Sequence, residues 1–218
     1  MTNKPLAKAQ HHKLISNVFS NWATVIVGAV CGFLLAPVMV HRLGDIGYGI
    51  WAFGIQLTTY LGVLDFGLRL SVGRFLTHHH TRGERDQING VISVATVLLG
   101  SLALLCIVVS IVVAAYLEHI VKIPPGMVTH AKWTILLVSG MVAISLPGAI
   151  FAGAIASLSR YDLLNMRYIT SIVIRSVIAW LVLVKGGGVV SIALVWLLVT
   201  LVSVACDVAG QAGNFDRP

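Results

Sequence analysis

The stretch YITSIVIRSVIAWLVLV, Tyr168–Val184, has the length and apolarity of a membrane-crossing helix but carries one charge, Arg175, near its middle. An arginine at the centre of a bilayer costs about 2.5–3.5 kcal/mol on insertion scales unless it faces protein or a water-filled cavity. Tyr168 and Ser171 precede Arg175 by seven and four positions, so a helix places all three side chains on one face. The sequence therefore predicts a polar stripe along this helix.

Three interpretations of Arg175 follow from its position in the span. It can be a structural arginine paired with a neighbouring helix, or a cationic contact for the anionic head group of a substrate. It can also extend toward the membrane surface, which is difficult from the middle of a span.

Composition places the chain in the membrane. It has 218 residues, of which 57% are hydrophobic and 11% are charged, and its mean hydropathy is +0.92. Soluble domains carry about 25% charged residues. The net charge of +7 comes from residues between the apolar runs, which indicates membrane topology and contact with anionic membrane lipids rather than nucleic acid. The three cysteines lie inside apolar runs and form no metal or disulfide motif, so we expect no cofactor and no metal.

Runs of about 20 apolar residues predict the crossing helices. We expect an all-α integral membrane bundle of about six transmembrane helices, preceded by a tail over residues 1–21 and followed by a tail over 208–218. The bundle itself occupies residues 22–207. The predicted spans are Trp22–Val40, Ile46–Leu68, Gly90–Tyr116, Trp133–Ser157, Tyr168–Val184 and Val189–Cys206.

Local signals add detail to these spans. Tyr48 and Trp51 are predicted to anchor the second span at the membrane surface. Pro147 and Gly148 predict either a break beside a cavity or a packing bend in the fourth span. Three consecutive glycines, residues 186–188, predict a tight turn between the fifth and sixth spans.

The second span ends in an acid and a base four positions apart, Asp65 and Arg69. A local ion pair explains this spacing, and a proton-linked or substrate-linked coupling role for Asp65 is the alternative. The consecutive histidines at residues 78–80 point in three directions on a helix, which argues against a metal site.

Lysine and arginine placement predicts the orientation of the chain. With the N-terminus in the cytoplasm, ten of these residues lie on the cytoplasmic side and four on the opposite side. This bias favours a cytoplasmic location for both termini.

Three stretches together resemble a known family. They are RLGDIGYGIWAF (Arg42–Phe53), YLGVLDFGLRLSVGRF (Tyr60–Phe75) and SLSRYDLLNMRY (Ser157–Tyr168), the last followed by Arg175. Their order and spacing are similar to those of the O-antigen and polysaccharide transporters of the multidrug/oligosaccharidyl-lipid/polysaccharide exporter superfamily. The resemblance implies a flippase, without enzymatic activity, that moves a lipid-linked oligosaccharide for lipopolysaccharide or polysaccharide biosynthesis across the bacterial inner membrane.

The resemblance also implies which residues contact the substrate. In family members the helices surround a central cavity that contains cationic residues. The planar guanidinium of arginine can donate two hydrogen bonds to the oxygens of a polyprenyl pyrophosphate. Arg175 is the first candidate for this contact and Arg69 the second, with Tyr168 and Ser171 beside Arg175. The remaining matched positions correspond to a short connection with a structural or gating role: Arg160, Tyr161, Asp162 and Asn165.

The family is built from two six-helix bundles, whereas this chain contains one. Alternating access requires one bundle to move against another around a shared site. We therefore expect a truncated N-terminal half, whose partner is either a missing C-terminal half or a second copy of the chain.

Other functions remain as alternatives. A drug or cation exporter of the same superfamily would need an acidic residue in the first spans, where Asp65 is the candidate. A membrane glycosyltransferase would need positioned acids or bases at the membrane face, and a non-transporting fragment or assembly partner fits the short length.

Overall fold

The computed structural model describes residues 4–63, 71, 75, 85–157 and 161–215. At the helix ends 4–19, 85–86, 88–89, 151–157, 161–164 and 210–215 it describes the backbone alone. Six α-helices lie in these ranges, and no strand occurs among the residues described: α1 (Lys4–Val63), α2 (Arg85–Ala115), α3 (Leu117–Ile120), α4 (Val128–Ser157), α5 (Tyr161–Val184) and α6 (Val189–Phe215). A short 3-10 helix, Pro125–Met127, precedes α4. The all-α prediction is confirmed.

Five of the described helices are long and apolar enough to cross a membrane. Their apolar segments are Ser20–Val63, Gly90–Ala115, Pro125–Ile150, Asn165–Val184 and Val189–Ala209. The chain is therefore a multi-pass membrane protein. The predicted start of the fourth span, Trp133, is five residues too late, because α4 begins at Val128 and includes Lys132 in its second turn.

Helix α1 contains two crossing segments, because it breaks at Gly44, where φ is 69° and ψ is 175°. Leu35 and Met39, before the break, share one core cluster with Ile50 and Trp51, after it. In a straight helix, Leu35 and Trp51 would lie about 24 Å apart. The chain therefore folds back at Gly44. The positive φ of this residue is one that glycine adopts readily and other residues adopt rarely.

Helix α4 occupies the centre of the bundle and packs against α2 on one side and α6 on another. Half of its apolar segment is buried, compared with 11–22% for the other four. Small residues permit this close packing, as Gly140 lies against Leu197 and Gly148 lies against Val204. The first half of α1 packs on α5 through Gly28 and Ile172.

Helix α4 continues through Pro147 and Gly148 without a break. A Cβ atom on Gly148 would lie 2.8 Å from Val204 Cγ2. The glycine thus allows α6 to approach α4. This supports the interpretation of Pro147 and Gly148 as a packing feature rather than as a break in the helix.

The three glycines form the predicted turn between α5 and α6. Gly186 has a φ of 85°, its N–H donates to Leu183 O, and the N–H of Gly187 donates to Val182 O. This is the Schellman pattern, which satisfies the last carbonyl groups of a helix. It lets the chain reverse within a few residues and sets α6 antiparallel to α5.

The prediction that Trp51 anchors the second span at the membrane surface was wrong. Its side chain is 6% exposed and belongs to the core, where its ring meets Trp196 edge to face at a centroid distance of 4.8 Å. An indole is large enough to fill the space between α1 and α6, and burial there removes more apolar surface than an interfacial position would.

Candidate functional site

One face of α5 carries four residues at intervals of four, Arg167, Ser171, Arg175 and Ala179. This spacing places them in a row along the helix. Three of them contact α6: Arg167 pairs with Asp207, Ser171 with Ser203, and Arg175 with Trp196. We call this row of contacts the α5–α6 polar face.

Arg175 lies at the meeting point of α1, α5 and α6. Its guanidinium carbon is 4.0 Å from the centroid of the Trp196 ring, and Trp51 of α1 packs on that same ring. Cys31, in the first half of α1, also lies near Arg175. Cation–π contacts of this kind contribute about 0.5–2 kcal/mol, with the larger values at desolvated sites.

The guanidinium of Arg175 is not paired with any acid in the described part of the chain. Among the side chains that the structure describes, none forms an ion pair or a hydrogen bond with it, and the side chain is partly buried. Tryptophan has no lone pair to accept a conventional hydrogen bond, so Trp196 leaves the N–H donors of the guanidinium unused. This arrangement differs from a structural arginine held by a carboxylate on a neighbouring helix.

Ser171 is engaged with α6 rather than turned toward open space. Its hydroxyl oxygen lies 2.7 Å from the Ser203 hydroxyl oxygen. Hydrogen bonds between membrane helices average about 0.6 kcal/mol in stability. The predicted stripe therefore exists, and at Ser171 it forms a helix–helix contact.

An ion pair between Arg167 and Asp207 completes the α5–α6 polar face, and sequence reasoning missed it. Asp207 is 4% exposed, and its carboxylate oxygens meet both terminal nitrogens of Arg167. The available signal was the spacing of Arg167, Ser171 and Arg175, which continues the polar stripe one turn toward the start of α5.

Tyr168, seven positions before Arg175, falls on this same face of α5, but its side chain is 48% exposed. Asn165 is partly buried on α5. The predicted short connection at Tyr161, Asp162 and Asn165 was wrong, because α5 already begins at Tyr161.

Several predicted site residues cannot be placed. Asp65, Arg69, Arg160 and the histidines at 78–80 lie outside the described residues, and for Asp162 the backbone alone is described. The proposed ion pair of Asp65 with Arg69 stays a prediction.

A cavity of about 330 Å³ lies at one end of the bundle, away from Arg175. Its walls come from α1 just after the Gly44 break, from the segment that joins α2 to α4, and from the start of α4. Arg175 does not line it.

Beside this cavity, an ion pair joins α3 to α4. The Lys132 ammonium donates to the Glu118 carboxylate over 2.7 Å. This hydrogen bond and the positive charge of Lys132 lower the pKa of Glu118 below its ordinary value. Glu118 thus stays ionised at neutral pH, and the pair is lost only as the pH falls through that lowered pKa.

Comparison of the chain with family models, curated proteins and solved structures finds no match. The motifs of the sequence and the geometry around Arg175 are therefore what indicate a function.

Proposed function

We propose that this chain is the N-terminal bundle of a flippase that translocates a lipid-linked oligosaccharide across the bacterial inner membrane. In this proposal both termini are cytoplasmic, and a second bundle, from the same polypeptide or another chain, provides the other wall of the passage. The observation that carries the proposal is Arg175, a mid-span guanidinium without an acid among its described neighbours.

An unpaired cation inside a membrane protein favours an anionic ligand. Burying a charge without a partner is costly, and an anion that binds beside it removes part of that cost. The pyrophosphate of a lipid carrier presents oxygens that suit the fork of a guanidinium. Trp196 supports Arg175 from one side without using the N–H donors that a phosphate would accept.

The same geometry disfavours the two other activities. A drug or cation exporter binds a positive substrate, which Arg175 would repel. A glycosyltransferase needs a positioned acid or base that is free to meet its substrate, whereas the carboxylate of Glu118 is already engaged by Lys132.

Reconstitution in proteoliposomes tests the proposal. A fluorescent lipid-linked oligosaccharide is placed in the inner leaflet, and its arrival outside is followed by a membrane-impermeant quencher. We expect flipping when the chain is reconstituted together with its second bundle, loss of flipping in Arg175→Ala, and retention in Arg42→Ala, which removes an exposed arginine just before the Gly44 break.

Two results would contradict the proposal. One is flipping at the original rate in Arg175→Ala. The other is transport of a labelled drug cation with no movement of the oligosaccharide lipid, which would favour the exporter. Binding of the lipid without any flipping, in the presence of the second bundle, would instead assign the chain as a non-transporting assembly partner.

A further inference from the structure

The cavity of about 330 Å³ lies at the membrane edge. Three turning points of the chain mark this edge: the break at Gly44, the end of α2 at Ala115 and the 3-10 helix that begins at Pro125. Phospholipid phosphates lie at this depth, just beyond the ends of the apolar segments.

The lining of the cavity is almost entirely apolar. Ile50 and Phe53 of α1 face Leu117 of α3 and Ile135 of α4 across it. A volume of this size is at the lower limit of small-molecule sites, about 300–1,000 Å³. It suits one hydrocarbon chain better than a whole lipid, and its walls offer almost nothing to a polar ligand.

One charged residue, Lys122, lines the cavity. Its side chain is exposed, and no described acid pairs with it. The nearby Lys132, in contrast, is neutralised by Glu118. Lys122 is therefore the cation available to a ligand whose chain enters the cavity.

We propose that this cavity binds one acyl chain of an anionic phospholipid, with the lipid phosphate held by the ammonium of Lys122. Ile46 and Gly49 give the acyl chain a lateral entrance from the bilayer, since both residues line the cavity and both are exposed on a membrane-crossing segment. The site is separate from Arg175, and it stands whether or not the chain is part of a flippase.

Photocrosslinking in nanodiscs tests this site. The probe is phosphatidylglycerol with a diazirine in one acyl chain, and the labelled peptides are mapped by mass spectrometry. We expect labelling to concentrate in residues 46–53 and 117–135. Gly49→Leu, which fills the cavity, should abolish it, whereas Gly100→Leu on α2, where a Cβ also meets no neighbour, should not.

The charge is tested by Lys122→Gln, which should reduce phosphatidylglycerol labelling about fivefold relative to a phosphatidylcholine probe. The matched control is Lys185→Gln, which removes an exposed lysine in the α5–α6 turn, outside the cavity lining.

Equal labelling by the two probes in the original chain would overturn the assignment to an anionic lipid. Labelling spread evenly over α2 and α6, or unchanged by Gly49→Leu, would overturn the site itself. Displacement of the probe by equimolar polyprenyl pyrophosphate would assign the cavity to the transported lipid instead and overturn the proposal.

Discussion

At the scale of single residues, Arg175 shows how an apolar bundle accommodates a charge that no acid among the described residues neutralises. The sequence predicted a polar stripe from spacing alone, and that stripe exists at Ser171 and Arg175. Its partners were not predictable in this way, because Ser203 and Trp196 lie on another helix. Spacing within one helix does not reveal which face of a second helix turns toward it.

The ion pair of Arg167 and Asp207 is the strongest polar link between α5 and α6. We predict that Asp207→Asn lowers the free energy of unfolding by about 3–5 kcal/mol, because it leaves the charge of Arg167 without its partner in a partly buried position. Denaturant unfolding in detergent, followed by tryptophan fluorescence, measures this difference.

The control is Asp45→Asn, which removes an exposed acid beside the Gly44 break. Its effect should stay within about 0.5 kcal/mol. Equal losses in the two variants would show that the Arg167–Asp207 pair contributes nothing specific to the bundle.

At the scale of elements, hydropathy predicted most of the helices because a bilayer fixes the length of an apolar crossing. The second span and the start of α5 show the limits of that approach. Trp51 was assigned to the membrane surface because tryptophan is common there, yet it fills a gap between helices. The helical turns around Asp162 were assigned to a loop because a polar sequence gives hydropathy nothing to detect.

The contact of α4 with α6 depends on Gly148. We predict that Gly148→Ala destabilises the protein by about 1–3 kcal/mol, because the added methyl group would lie 2.8 Å from the branched side chain of Val204. Thermal unfolding in detergent gives the change.

Gly100→Ala is the matched control, since a Cβ there meets no atom within 4 Å. It should leave stability unchanged or raise it by up to about 1 kcal/mol through helix propensity. The double variant Gly148→Ala with Val204→Ala should recover part of the loss, and strict additivity of the two losses would contradict a direct contact.

At the scale of the whole molecule, the fold-back at Gly44 gives α1 two crossing segments and the bundle six in total among the described residues. An even number of crossings places the two ends of the bundle on one side of the membrane. The lysine and arginine bias predicts that this is the cytoplasmic side.

Cysteine labelling tests this topology. In a background without Cys31, Cys106 and Cys206, we predict that single cysteines at Thr2 and Asp216 are protected from an impermeant maleimide added to intact cells. Lys122→Cys, at the opposite end of the bundle, should react. Labelling of either tail from outside would show that the orientation is inverted or that the number of crossings is odd.

Binding of a polyprenyl pyrophosphate to the chain in nanodiscs tests the proposed role of Arg175 most directly. Loss of a charged hydrogen-bonding contact costs about 1.5–3 kcal/mol, so Arg175→Ala should weaken the affinity at least tenfold, while Arg42→Ala should leave it unchanged. An affinity that does not change in Arg175→Ala would contradict the assignment of this guanidinium as the anion contact, and the proposed function with it.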